Sequence, residues 1–233
     1  MVVLVATIVG VVSGHTQLYA VNKLGGALTK GEYIIPSNMG NAPVTVQTIK
    51  TDALRCRSSS MSTSGVDILT ITGGTNVTFQ YRHADTPSVK NIDVMSKSHI
   101  GPCTVYMALA SSKGEGDAWF KVFEESYDTK VKKWCTNKVI DNNGKLIFRI
   151  PDDIPKGLYY VRSELAALHQ ATTNGVQLYN NCALLQVDST GSVKPTGYAI
   201  PGIYTGKEPG FVWNRSNDPT GYVIPGPPMY NQE

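Results

Sequence analysis

The stretches LYYVRSEL (residues 158–165) and VQLYNNCALLQV (residues 176–187) decide the fold class of this chain. Both are dominated by aliphatic and aromatic residues, and runs of this kind and length predict strands. No long window of the sequence keeps a convincing helical period. Four shorter runs share the strand-like pattern: VTFQYRH from Val77, TVYMALA from Thr104, WFKVFEE from Trp119 and KLIFRI from Lys145.

Turn-forming residues separate these runs, for example at Gly73-Gly74, at residues 142–144 (NNG) and at residues 155–157 (PKG). The 233 residues include 22 Gly, 13 Pro and 12 Tyr, and 17% are charged, which favours short strands and many turns over amphipathic helices. The sequence therefore predicts an all-β fold, an immunoglobulin-like antiparallel β-sandwich with long loops.

Residues 15–233 are expected to form a single domain, because no low-complexity linker or internal repeat interrupts them. The segment after Thr196 is rich in Pro, Gly and aromatic residues. Since Pro cannot donate to a strand ladder, this C-terminal segment is expected to wrap the sandwich as an ordered loop.

An apolar run, VVLVATIVGVV at residues 2–12, opens the chain and is too short to span a bilayer. Small residues follow it, so the run resembles the apolar part of a signal peptide cleaved between Gly14 and His15. A buried first strand is the alternative, and no Lys or Arg precedes Lys23. We predict that residues 1–14 are a signal peptide and that the protein is secreted, extracellular and not held by a membrane.

Cysteine usage fits export. The chain has four cysteines and no CxxC pair, which favours two disulfides over a thiolate metal site. Sequence alone allows three pairings of Cys56, Cys103, Cys135 and Cys182. The sequons at Asn76 and Asn214 are candidate glycosylation sites, which also suits an exported protein.

Composition and missing motifs exclude several functions. The net charge of +3 is small and scattered, so a nucleic-acid partner is not expected. HExxH, GxSxG, Walker A and GxGxxG motifs are absent, and no His follows Cys182 to complete a blue-copper site. The sequence does not exclude a glycosidase, because four carboxylates are candidates for its catalytic pair: Glu124, Glu125, Glu164 and Asp188. Glu164 is more simply explained as a strand residue that pairs with Arg162 or faces solvent.

Position makes two of the four histidines candidate metal ligands, although a lone His is more often a packed or solvated side chain. Cleavage after Gly14 would give His15 two nitrogen donors, its α-amine and its Nδ1. A third nitrogen from His99 would complete a T-shaped set. Planar nitrogen ligands suit Cu(II), whereas zinc prefers a tetrahedron.

Three more residues could serve this site. Gln177 and Tyr179 are two apart on a predicted strand, so their side chains share one face, and a Tyr oxygen is compatible with the axial position of copper. His169 lies just upstream, where a polar side chain could reach the same place. Alternatively, Tyr179 is a core aromatic residue beside a disulfide.

An ordered set of segments resembles the cellulose-active fungal lytic polysaccharide monooxygenases of auxiliary-activity family nine. The resemblance spans almost the whole chain from His15 onward. The matching segments are His15-Thr16, SHIGPCTVYMA from Ser98, GDAWFKVFEE from Gly116, IPKGLYYVRSELAALHQA from Ile154, GVQLYNNC from Gly175, and IPGIYTG and GYVIPGPP near the end.

This resemblance implies a site built around one copper ion. His15 and His99 would form the histidine brace, with Tyr179 as the axial neighbour. His169 and Gln177 would be catalytic residues that hydrogen-bond the oxygen co-substrate, with His169 donating in its protonated form and Gln177 orienting it.

The resemblance also implies the disulfide pairing. Cys56 and Cys182 match the family's usual bridge, which leaves Cys103 to pair with Cys135. The second bridge would help to hold the loop that carries His99.

The implied activity is oxidative cleavage of the β-1,4-glucan chains of cellulose at C1 and/or C4, with O2 or H2O2 as co-substrate. An external electron donor would reduce the copper, and the protein would act as a monomer. Aromatic rings could stack on the sugars, with Tyr222 as the first candidate and Tyr204 and Trp213 as others. The alternative function is a non-catalytic secreted carbohydrate-binding β-sandwich.

Overall fold

The computed structural model of the chain describes residues 14–58, 60–83 and 94–230. The predicted signal peptide, residues 1–14, lies outside the described residues except for Gly14. The strands of this part are β1 (Gln17–Lys23), β2 (Leu69–Thr72), β3 (Asn76–Arg82), β4 (Cys103–Leu109), β5 (Phe120–Glu125), β6 (Tyr127–Asp128), β7 (Lys133–Trp134), β8 (Lys145–Arg149), β9 (Gly157–Ala167) and β10 (Gln177–Asp188).

Two packed sheets form a β-sandwich, which confirms the predicted fold class. One sheet has five strands in the order β2-β10-β9-β4-β5, the other has the order β1-β3-β8, and β6 and β7 form a separate ribbon. The two deciding stretches are the central pair β9 and β10, which run antiparallel with Tyr179 opposite Leu165. The edge strand β2 differs from the expected antiparallel order, because it pairs parallel to β10.

The sandwich core lies between the two sheets. Inward side chains of β10, such as Tyr179, Ala183 and Leu185, share one buried cluster with Phe79 of β3 and Phe148 of β8. The rings of Phe79 and Phe148 meet edge to face, with centroids 5.1 Å apart. Burial of this apolar surface is the main stabilising contribution to the sandwich.

Long loops cover the other face of the five-stranded sheet. The alternate residues of β10, Leu178, Cys182 and Leu184, pack in a second buried cluster with loop residues such as Val44 and Phe211. Because β10 is buried on both faces, its apolar residues do not alternate with polar ones, and even Asn180 and Asn181 are buried.

The C-terminal segment, as far as residue 230, forms no regular strand and packs against this outer face, as expected from its Pro and Gly content. Its backbone bridges to the sheet where Tyr198 pairs with Trp119. Tyr204 is only 2% exposed and donates a hydrogen bond to Glu164 Oε1 at 2.9 Å. The expectation that Tyr204 could stack on substrate is therefore wrong, because its ring is part of the core.

Two short helices were not anticipated from the sequence pattern. They are α1 (Ala53–Cys56) and α2 (Cys135–Asp141). Both are too short to show a helical period. Among the described residues, no helix has the length and apolar character that crossing a bilayer requires.

Both disulfides implied by the resemblance are present. Cys56 joins Cys182 and Cys103 joins Cys135, with Cα atoms 5.2 and 5.7 Å apart. The first ties α1 to β10, and the second ties the start of β4 to the start of α2. The bridges therefore fix loop-borne segments to the central sheet.

We expect the double variant Cys103→Ser/Cys135→Ser to unfold at lower urea concentration, with a loss of about 3–4 kcal/mol in unfolding free energy, because the bridge closes a loop of 32 residues. Urea denaturation followed by tryptophan fluorescence measures this loss. Each single Cys→Ser variant should behave like the double variant. An unchanged midpoint would show that the bridge adds no stability.

Candidate metal centre

The predicted ligands meet at one end of the five-stranded sheet. The sheet register places Cys103 of β4 and Tyr179 of β10 on either side of Leu165 in β9. His99 lies on the loop just before β4, and the rings of His15 and His99 each lie 6.0 Å, centroid to centroid, from the ring of Tyr179. The structure thus brings together three residues that are far apart in sequence.

His99 has the properties of an imidazole ligand. Its side chain is buried, and its Nε2 has no hydrogen-bond partner among the described residues. Burial, with smaller contributions from His169 and His15, lowers the pKa of His99 to about 3. The ring is therefore neutral near pH 7, so the Nε2 lone pair is available to a metal. A buried polar atom without a partner is unusual and needs such an explanation.

The backbone before His15 lies directly against this nitrogen. A Cβ atom added at Gly14 would fall 3.0 Å from His99 Nε2 and 2.4 Å from its Cε1. An amine released at the junction between Gly14 and His15 would consequently lie close to the Nε2 lone pair. Burial lowers the pKa of His15, with further contributions from His83 and Arg57, and this also favours a neutral ligand.

The side chains alone do not supply a complete ligand set. In residues 14–58, 60–83 and 94–230, no three or more His, Cys, Asp or Glu side chains group into a possible metal site. Two imidazoles need at least one further donor, and the α-amine of a processed His15 would supply it. Nitrogen donors of this kind fit copper better than magnesium or calcium, which prefer oxygen.

Tyr179 belongs both to the site and to the core. Its ring is fully buried in the sandwich, so the alternative interpretation as a core aromatic residue also holds. Its hydroxyl donates a hydrogen bond to Gln177 Oε1 at 2.8 Å, and burial raises its pKa above the usual value. A neutral phenol is at most a weak axial oxygen donor.

His169 stacks on His99, with ring centroids 4.0 Å apart and planes inclined by 25°. Its Nδ1 is buried and has no partner in the described part of the chain. Burial, Arg215 and His15 lower the pKa of His169. The structure therefore favours a neutral ring, which can still donate one N–H, over the protonated form that was expected.

Among the described residues, no hydrogen bond joins Gln177 to His169. Its Oε1 accepts from Tyr179, and its Nε2 donates to Gln170 Oε1 at 3.3 Å. The expected orientation of His169 by Gln177 is absent among the described contacts. Instead, Gln177 fixes the phenol hydroxyl.

All four carboxylates that were candidates for a glycosidase site are ion-paired. Glu164 is buried with Arg162, as expected for a strand residue. The remaining pairs are Glu124 with Lys121, Glu125 with Lys138, and Asp188 with Lys156. An ion pair favours the ionised form of a carboxylate, so these residues are poor candidates for the general acid that hydrolysis requires.

Tyr222 lies in an aromatic cluster rather than alone on a flat face. Its ring centroid is 4.9 Å from that of Trp134 and 6.0 Å from that of Trp213, and its hydroxyl donates to Gly210 O at 3.0 Å. The rings of Tyr222 and Trp213 are only half-buried. They can still present an edge to a ligand.

Both predicted glycosylation sites are accessible. Asn76 is exposed at the start of β3, and Asn214 is exposed in the C-terminal segment. Asn214 Oδ1 accepts hydrogen bonds from the backbone N–H and hydroxyl of Ser216, at 3.0 and 2.9 Å.

Sequence reasoning missed two residues beside His15. The Nδ1 of His83 donates to the carbonyl oxygen of His15 at 2.7 Å. Arg57 is fully buried and donates to the carbonyl oxygen of Thr16 at 3.2 Å. Neither stands in a recognisable motif, and only their contacts with the N-terminal strand reveal them.

The chain is similar to proteins of one family. The sequence profile of Auxiliary Activity family 9 (formerly GH61) matches residues 8–222. The AA9 family lytic polysaccharide monooxygenase C of Aspergillus tamarii is 43% identical over 168 residues, which is 67% of this chain but 44% of that protein. The AA9 family lytic polysaccharide monooxygenase A of Armillaria gallica is 35% identical over 240 residues, or 98% of this chain and 92% of that protein.

A solved structure agrees with the sequence matches. The structure named CvAA9A superposes with a TM-score of 0.82 at 26% sequence identity, covering 93% of this chain and 98% of the other. A profile match over most of the chain and a relative aligned along nearly its whole length lead to one conclusion. The chain belongs to Auxiliary Activity family 9, the family of its lytic polysaccharide monooxygenase relatives.

Proposed function

We propose that, once residues 1–14 are removed, the chain is a secreted copper-dependent lytic polysaccharide monooxygenase that binds one copper ion. It cleaves β-1,4-glucan chains of cellulose at C1 and/or C4, uses O2 or H2O2, takes electrons from an external donor and acts as a monomer. The observation that carries the proposal is the buried Nε2 of His99, which lacks a partner among the described residues and faces the backbone at Gly14.

Three nitrogens would hold the copper: the α-amine and imidazole of His15 and the Nε2 of His99. Tyr179 lies beside both rings and would offer its phenol oxygen as a further, weak donor. When bound, copper supplies the one-electron chemistry with oxygen that no side chain can provide. The protein's own contribution is to fix the ligands and to keep their imidazoles neutral.

His169 would supply a hydrogen-bond donor next to the metal ligands. Its ring lies against that of His99, so an N–H on its free edge is near the place where the co-substrate would enter. Gln177 would act through Tyr179 by orienting the phenol hydroxyl.

The substrate would lie across the end of the sandwich. Arg215 influences His169 electrostatically, so the C-terminal segment borders the metal centre. The half-exposed rings of Tyr222 and Trp213 belong to this segment and would contact the glucan by their edges.

The main test uses protein whose N-terminus is shown by sequencing to be His15. Isothermal titration with Cu(II) should give one tight site. Cellulose treated with this protein, a reductant and H2O2 should release C1- or C4-oxidised oligosaccharides that mass spectrometry detects, and a chelator should abolish them. Cellulose binding without oxidised products would favour the carbohydrate-binding alternative, and chelator-resistant release of reducing ends would favour a hydrolase.

His99→Ala should weaken Cu(II) binding by at least about 100-fold, because loss of a ligand exceeds the 10–100-fold effect of losing a residue that only supports one. Titration measures the affinity. His83→Ala is the matched control, since the imidazole of His83 donates to the carbonyl oxygen of His15 and is not a proposed ligand, so its loss should have a smaller effect. Equal affinities for wild type and His99→Ala would rule His99 out as a ligand.

His169→Ala should lower turnover about 100-fold while leaving Cu(II) affinity within a few-fold of wild type, as expected for loss of a positioned proton donor. Product release from cellulose and copper titration are measured on the same preparation. Unchanged turnover would refute the assigned role.

A variant that keeps Gly14 as its first residue should bind Cu(II) far more weakly than the His15 form, because the nitrogen of His15 stays in a peptide bond. Mass spectrometry checks the start of each protein before titration. Equal affinity would show that the amine is not a ligand.

A further inference from the structure

Arg57 is a fully buried cation, and all its acceptors among the described residues are neutral. Its Nη1 donates to the carbonyl oxygens of Thr16 and Ala42, at 3.2 and 2.8 Å. Its Nε donates to the carbonyl oxygen of Asn180 at 3.0 Å, and its Nη2 donates to Asn181 Oδ1 at 2.6 Å. The guanidinium is thus fixed in one orientation by several hydrogen bonds.

No carboxylate pairs with Arg57 in the part of the chain that the structure describes. The contrast is Arg162, which is equally buried but forms an ion pair with Glu164. Burial lowers the pKa of Arg57 to about 10, so the side chain keeps its charge near pH 7. A buried charge without an ion partner destabilises the folded state, so the presence of Arg57 needs an explanation other than stability.

The backbone of Arg57 is also unusual. Arg57 follows α1 with a φ of 53°, the left-handed region where glycine is the common choice. Arg57 adopts this backbone conformation with a strain that glycine would avoid. The adjacent Cys56, bonded to Cys182, anchors the turn so that the guanidinium points at β10 and the N-terminal strand.

The guanidinium connects the two strands that carry the metal site. It holds the carbonyl of Thr16, the residue after His15. Asn181 Oδ1, which accepts from Arg57, also accepts from the backbone N–H of Leu18 at 3.0 Å. Asn181 is two residues beyond Tyr179 on β10, so both side chains share a face.

We propose that Arg57 is a positioning residue of the metal centre, and that its unpaired positive charge raises the reduction potential of the copper. The inference rests on the proposed function. A chain terminus frays unless it is tied down, and Arg57 ties it down directly after the ligand. A nearby positive charge repels Cu(II) more than Cu(I), because Cu(II) carries one more charge.

Asn181→Asp is the sharpest test, because it places a carboxylate against Arg57 with almost no change in shape and keeps the acceptor for Leu18. We expect the melting temperature not to fall and the Cu(II) electron paramagnetic resonance (EPR) spectrum to stay close to wild type. The ratio of Cu(II) to Cu(I) affinity should rise about tenfold, which lowers the potential by about 59 mV. An unchanged potential would overturn the electrostatic part of the proposal.

Substitutions of Arg57 separate its charge from its bonds. Arg57→Lys keeps the charge but cannot reproduce the planar set of donors, so it should broaden the EPR spectrum and weaken Cu(II) binding while the potential stays near wild type. Arg57→Met should change the EPR spectrum, the Cu(II) affinity and the reduction potential, and it should lower the melting temperature of the copper-free protein. If Arg57→Met fails to fold, Asn181→Asp and Arg57→Lys still decide the question.

Arg55→Met is the matched control. Arg55 lies on α1, two residues before Arg57, and donates to the carbonyl oxygen of Ile200 at 3.0 Å, so its loss removes a similar bond. It should leave the potential and the EPR spectrum unchanged. A shift equal to that of Arg57→Met would mean that general loosening explains the effect.

Failure of this inference is distinct from failure of the proposed function. If the wild-type protein starting at His15 takes up no Cu(II), the proposed function fails. If wild type binds Cu(II), and the Arg57 and Asn181 variants keep its affinity, spectrum and potential, only the role of Arg57 is wrong.

Discussion

The antiparallel pairing of β9 with β10, buried on both faces, is the constraint on which the rest of the structure depends. The inner face of β10 carries Tyr179 toward the three-stranded sheet, and the outer face carries Cys182 toward α1. A shift of one residue in this register would exchange the two faces. The candidate metal site, the disulfide and the core are therefore fixed by the same pairing.

Buried polar groups divide into two kinds. Under the C-terminal segment, Arg162 and Glu164 neutralise each other, and Tyr204 satisfies the second carboxylate oxygen. At the metal end, His99 Nε2 and His169 Nδ1 have no partner among the described residues, and Arg57 contacts no described carboxylate. Arg162 Nη1 also lacks a partner among the described residues, so an unsatisfied atom alone does not indicate a ligand. The metal end differs because its two unsatisfied nitrogens belong to stacked imidazole rings.

Much of the candidate site could be predicted before any coordinates, because its proposed ligands stand in segments with distinct patterns. His15 follows an apolar run, and Gln177 and Tyr179 alternate on a strand, so their shared face was predictable. Contacts inside the site were less accessible. Gln177 fixes Tyr179 rather than His169, and Tyr204 faces the core, because side-chain partners depend on how loops fold back onto the sheet.

By itself the sequence determined six of the ten described strands, the sandwich and the residue types suited to a copper site, since hydrophobic patterning and ligand chemistry are local properties. Only the tertiary structure decided that Arg57 holds the N-terminal strand, because its partners on β10 are 123 and 124 residues away. No local pattern encodes such a contact. It exists because the disulfide, the turn after α1 and the sheet register together bring these atoms within hydrogen-bond distance.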